Sequence, residues 1–133
     1  MNDFGVVSWG SGDCTAHQFG LGTWNDTNTD ATTALIWEGC NDFFSSLTVA
    51  ANKWSFMALV FAASQPHDYS LYVNGQVSAV QLSAVPATQS GPIVMGHNDS
   101  ASGTPFFRGA LDSARIYGRA LSAAEISGLY MSP

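Results

Sequence analysis

A chain of 133 residues in which 46% of positions are apolar and sixteen side chains are aromatic has the material for one sizeable core, so a single domain over residues 1–133 is expected. The formal net charge of −6 sets ten carboxylates against only Lys53, Arg108, Arg115 and Arg119, which leaves no basic stripe for phosphate backbones and excludes nucleic acid as a partner. The longest apolar run, WSFMALVFAA at 54–63, is about half of the roughly 20 residues a membrane helix needs, so no membrane span is expected.

The amino end, MNDFGVVSWG, has no basic segment followed by an apolar one, so the expectation is either a cytoplasmic chain or an extracellular domain whose export signal lies outside this sequence, and localisation stays open. Short strand-forming runs then recur between Gly, Asn, Asp and Ser clusters: GVVSW at 5–9, HQFGL at 17–21 and TALIW at 33–37. The polar segment TWNDTNTD at 23–30 reads as a loop. Cys14 and Cys40 match no metal or redox spacing and permit a disulfide in an oxidising compartment.

In WSFMALVFA at 54–62 both alternating sets are apolar, Trp54, Phe56, Ala58 and Val60 against Met57, Leu59 and Phe61. Such a strand is expected to be covered on both sides, by loops or by another subunit. Asn74-Gly75 between SLYV and QVSAV supplies the positive φ values of a two-residue type I′ hairpin, which sets Tyr72 across from Val77. PIVMG at 92–96 reads as a further strand, and HNDSASGT at 97–104 as a loop.

The tail changes character twice. FFRGALDSARIYG reads as a last core strand, but Leu111 belongs to one alternation and Ala114 and Ile116 to the other, which places a bulge near Asp112 and Ser113. Gly109 allows a kink or a close approach. A helix follows over SAAEISGLY at 122–130, with Ser122 and Glu125 at the spacing of a capping box, Leu121 at the staple position, and Ile126 and Leu129 on one face.

The run F-x-G-x-L-D-x-x-R-I-Y-x-R-x-L-S-x-x-E-I-x-x-L-Y from Phe107 to Tyr130 closely resembles the end of laminin-G-like jelly-roll domains of the concanavalin A-like lectin/glucanase superfamily. The likeness continues upstream through PIVMG, LYVNG and KWSFMALVF, whereas residues 1–52 match loosely. It implies an all-β jelly-roll sandwich of two antiparallel sheets with one short C-terminal helix, in agreement with the strand count. Such domains carry further strands ahead of the segment that GVVSWG resembles, so a pared-down sandwich or one completed by something else is expected. An open edge is a template for pairing, hence a homo-oligomer is expected.

Glucanases resembling this superfamily use two closely spaced carboxylates, for which a retaining mechanism needs about 5 Å. Here the only glutamates are Glu38 and Glu125, and Glu125 is used by the capping box. No nucleophile elbow accompanies His17, His67 and His97. The expectation is therefore a non-catalytic binding module, with a glycoside hydrolase only as a remote alternative. Flat indole faces beside amides and carboxylates suit sugars, so Trp24, Asn25, Asp26, Trp37, His97 and Asp99 are the candidate carbohydrate contacts. The competing reading is a protein-interaction module without a sugar site. Calcium is the one cofactor considered, because Asn and Asp clusters offer oxygen ligands; the resemblance implies Asp112 as its ligand, the alternative being that Asp112 bonds the bulge backbone. Arg115 and Arg119 are expected to pair with carboxylates or cover apolar surface.

Overall fold

The computed structural model describes residues 3–9, 19–24, 31–38, 41–62, 67–82, 91–97 and 106–132. Eight strands and one helix follow in chain order: β1 Asp3–Trp9, β2 Phe19–Trp24, β3 Ala31–Glu38, β4 Asn41–Ala50, β5 Met57–Ala62, β6 His67–Val73, β7 Gln76–Leu82, β8 Ile93–Met95 and α1 Ala123–Met131. They form two antiparallel sheets, one ordered β4-β3-β2-β1-β8 and the other β5-β6-β7. This is the architecture of a jelly-roll sandwich. Cys14 and Cys40 lie outside the described residues.

The core lies between the sheets. Leu21, Ala34 and Leu47 from the larger sheet meet Tyr69, Leu71 and Val73 from the smaller one, with Phe43, Val49, Met57, Leu59 and Phe61 partly buried around them. Tyr69, Leu71 and Val73 in β6, and Met57, Leu59 and Phe61 in β5, are spaced by two along their strands, so one face of the smaller sheet is apolar and turned inward. The sheets meet chiefly where β4 crosses β7 and β6 and where β3 meets β6.

Two sequence expectations hold in detail. Asn74 and Gly75 take φ of 49° and 81°, and Tyr72 pairs with Val77, the type I′ hairpin that Asn-Gly prescribes. Asn74 also fastens this turn to the chain before β5: its N–H donates to the Phe56 carbonyl at 3.0 Å, and its Oδ1 accepts from the Phe56 N–H at 2.9 Å. The capping box forms as well, with Ser122 Oγ accepting from the Glu125 N–H and the Glu125 carboxylate accepting from the Ser122 N–H at 2.8 Å. Ile126 is buried and Leu129 half-buried on the shared face.

Three expectations are corrected. The apolar run at 54–62 enters its strand only at Met57, and Trp54 is 71% exposed, because the clasp of Phe56 onto Asn74 consumes the ladder positions that would extend β5. Residues 41–50, which carry no strand in the sequence reading, form the longest strand. Its core-facing set is Phe43, Ser45, Leu47 and Val49, so a serine in the middle hides the apolar alternation. Finally, 107–117 is no core strand: it has no ladder among the described residues, and Leu111, Ile116 and Tyr117 are 41%, 61% and 44% exposed. Without a ladder among the described residues there is no bulge at Asp112 and Ser113 either, although Ser113 takes a φ of 54°.

Candidate functional site

The face of the larger sheet turned away from the core is built by strand parity. In β2, Leu21 and Thr23 alternate inward, which leaves Gly20, Gly22 and Trp24 on the outer face. Antiparallel partners share a face, so Trp37, opposite Gly20, and Thr33, opposite Trp24, lie there too. Two rows cross the strands. One runs Asp42, Trp37, Gly20, Ser8 and Val94; the other runs Thr48, Thr33, Trp24 and Asp3. Between them Gly22 is paired with Gly5.

Thus the backbone places Trp24 and Trp37 on one face, on neighbouring strands, four positions out of step. That offset is roughly 13 Å along the strand. The row between them runs Phe44, Leu35, Gly22 and Gly5, with Phe44 50% exposed, and Gly5, Ser8, Gly20 and Gly22 are small and buried. Each tryptophan position has a carboxylate in register beside it, Asp42 next to Trp37 and Asp3 next to Trp24. Ser8, Asp3, Thr33 and the glycines are missed by reading the sequence. The β1–β2 and β2–β3 registers bring them in, although the small-residue positions of FGLGTW at every second place are the signal that could have been followed.

His97 closes one end of the first row. Ser8 Oγ donates to the His97 carbonyl at 3.2 Å, Gly96 N–H donates to the Val6 carbonyl at 2.9 Å, and His97 bridges Phe106 with the two rings 4.9 Å apart. Of the six candidate contacts, the Trp24 and Trp37 positions share one face of the larger sheet, and His97 follows β8 at its edge. Asn25, Asp26 and Asp99 lie outside the described residues.

The carboxylates expected to do chemistry are placed otherwise. Glu38 falls on the alternation opposite to Trp37, at the end of β3. Glu125 is held by Arg119, whose guanidinium contacts its two oxygens at 2.5 and 3.1 Å. That bond, with the Ser122 N–H and hydroxyl, lowers the Glu125 carboxyl to about 2, and the same pair raises the Arg119 guanidinium. Arg119 thus pairs as expected, and Arg115 forms no ion pair among the described residues.

Asp112 Oδ1 accepts from the Ser113 N–H at 2.7 Å, the backbone role set against metal binding. Among the described residues no three His, Cys, Asp or Glu side chains converge, so a calcium at Asp112 would draw its remaining ligands from elsewhere. Among the described residues, too, no helix is long and apolar enough to cross a membrane.

A family model described as the concanavalin A-like lectin/glucanases superfamily matches residues 3–127. No curated protein and no solved structure matches the chain.

Proposed function

The chain belongs to the concanavalin A-like lectin/glucanases superfamily as a laminin-G-like domain, and from that premise we propose that it is a non-catalytic module that binds carbohydrate on the outer face of its five-stranded sheet. The observation that carries this reading is the shared face of Trp24 and Trp37 with Gly20 and Gly22 of β2 and Leu35 of β3 between them. Glycines keep a β-surface flat where a ring must approach the backbone. Indole faces stack on the C–H faces of sugars, and neighbouring carboxylates and hydroxyls accept and donate to sugar hydroxyls. Asp42, Asp3, Thr33 and Thr48 supply those groups in register. The offset of the two tryptophan positions suits an oligosaccharide better than a single ring.

A hydrolase is disfavoured by placement. A retaining pair needs two carboxyls about 5 Å apart across the bond, whereas Glu38 is on the other alternation and Glu125 is tied to Arg119. The competing reading, a protein-interaction module, draws on a different surface, the exposed apolar side chains of 106–117.

A glycan array followed by calorimetric titration tests the proposal, each run with calcium and with chelator. The expected result is binding to oligosaccharides that Trp37→Ala weakens at least tenfold, on the scale of a lost stacking contact of about 1.4 kcal/mol or more. Binding unchanged in both Trp24→Ala and Trp37→Ala would remove the sheet face as the site. Structural calcium remains part of the proposal: it predicts a melting temperature higher in calcium than in chelator, since a ligand bound only to the folded chain must raise it.

A further inference from the structure

Asn74-Gly75 is the single Asn-Gly pair of the chain. Such pairs are the most prone to lose the side-chain amide, because glycine puts no Cβ in the way of its own nitrogen as it approaches the asparagine Cγ. Both residues are exposed, so water and base reach them. What distinguishes this pair from one in a free peptide is how firmly the turn is held.

Three bonds fasten Asn74 to the chain ahead of β5. Its N–H donates to the Phe56 carbonyl at 3.0 Å, its Oδ1 accepts from the Phe56 N–H at 2.9 Å, and its Nδ2 donates to the Ser55 hydroxyl at 3.4 Å. Backbone and side-chain amide of one residue are thus fixed together. Gly75 is confined by the helix: the Tyr130 ring lies 3.1 Å from the place a Cβ would take on Gly75, and the same ring is 5.8 Å from the Phe56 ring. Turn, strand entry and α1 therefore meet at one point.

We propose that Asn74-Gly75 is a modification site: a deamidation site that stays closed while α1 is docked, and whose isoaspartyl product undocks the helix. In the reaction the Gly75 nitrogen gives its proton to base and bonds to Asn74 Cγ. The bond from Cγ to Nδ2 breaks, and the amide nitrogen leaves as ammonia. Water then opens the cyclic imide at either carbonyl, to aspartate or to isoaspartate. Closing the ring swings Asn74 Cγ and the Gly75 nitrogen together, which breaks the side-chain clasp and rotates the 74–75 peptide out of its type I′ orientation. The Tyr130 ring against Gly75 resists that rotation. Aspartate still accepts from the Phe56 N–H and tolerates a left-handed φ, so this product leaves the turn in place. Isoaspartate carries the main chain through the side-chain carbon, which lengthens the two-residue turn by a methylene and displaces Gly75 from the Tyr130 ring. Ammonia is lost for good, so a molecule whose helix has come undocked is marked permanently.

Incubation of the full chain at mildly alkaline pH, in buffer and in urea, tests it, with amide-to-acid conversion at Asn74 followed by peptide mass mapping. The expected result is conversion about tenfold or more slower in the folded chain than in urea. Tyr130→Leu, which removes the ring from Gly75 and keeps an apolar side chain, should speed conversion in buffer severalfold. If Tyr130→Leu fails to fold, Ser55→Ala decides: it removes the acceptor of Nδ2 and should act in the same direction. Amide hydrogen exchange over 123–131 then compares the purified isoaspartyl product with Asn74→Asp. Faster exchange is expected in the isoaspartyl chain and none of that change in Asn74→Asp. Equal conversion in buffer and urea, conversion unmoved by either variant, or a helix as protected in the isoaspartyl product as in the parent chain would overturn the proposal.

Discussion

Gly75 shows how little freedom single positions have at the hairpin end of the sandwich. Its φ of +81° suits a residue without a side chain, and a Cβ built there would lie 3.1 Å from the Tyr130 ring. Gly75→Ala therefore combines left-handed strain of roughly 1–2 kcal/mol with displacement of the ring that docks the helix; urea unfolding should show a loss of that size, and an unchanged midpoint would refute it. Glu125 is controlled by its bonds, not by burial. Its carboxyl, lowered from 4.5 to about 2 chiefly by Arg119, contributes stability that is fully present above pH 4.5 and fades as pH falls toward 2. The far-ultraviolet helix signal should weaken over that window, and Arg119→Ala should move the change to higher pH. A helix signal flat from pH 5 to 2 would mean that the pair does not hold the cap. Both residues were legible in the sequence, because Asn-Gly turns and Ser-x-x-Glu boxes are local rules; the Tyr130 contact on Gly75 was not, since fifty-five positions separate the two.

At the scale of an element, β4 teaches most. Opposite Thr33 and Leu35 its register slips, with Thr48 and Phe44 as the flanking partners. Ser45 resolves the irregularity: its buried hydroxyl donates to the Ala34 carbonyl at 2.6 Å and accepts from the Leu47 N–H at 3.1 Å. The hydroxyl substitutes for the ladder bonds that the bulge removes. Ser45→Ala would leave that carbonyl and N–H unpaired in the core, at a cost of about 1–3 kcal/mol; equilibrium unfolding measures it, and a value near zero would show that the bulge re-pairs without the hydroxyl. A serine in a core position reads as a turn residue in isolation, which is why this strand escapes a scan for apolar alternation. The opposite error arises in 107–117. There the apolar residues are real, but a strand needs a neighbour, and the described residues give this segment none.

On the scale of the whole molecule, the inequality of the sheets governs the rest. Where β3 and β4 meet β6 and β7 the core is closed around Ala34 and Leu71, each 0% exposed; toward β8 the same inward face is open at Met95 and Ile93. The sequence by itself determined the local features: strand runs, the type I′ turn, the capped helix and, through the order of residues from Phe107 to Tyr130, the superfamily. These follow from bonds among residues a few positions apart and from side-chain alternation. Only the tertiary structure decided that Trp24 and Trp37 share a face with Gly20 and Gly22, that Ser45 mends a bulge, and that residues 108–120, within the most recognisable segment, are exposed. Each of these depends on which strands become neighbours and in what register, and pairing between distant segments is set by the packing of the whole chain.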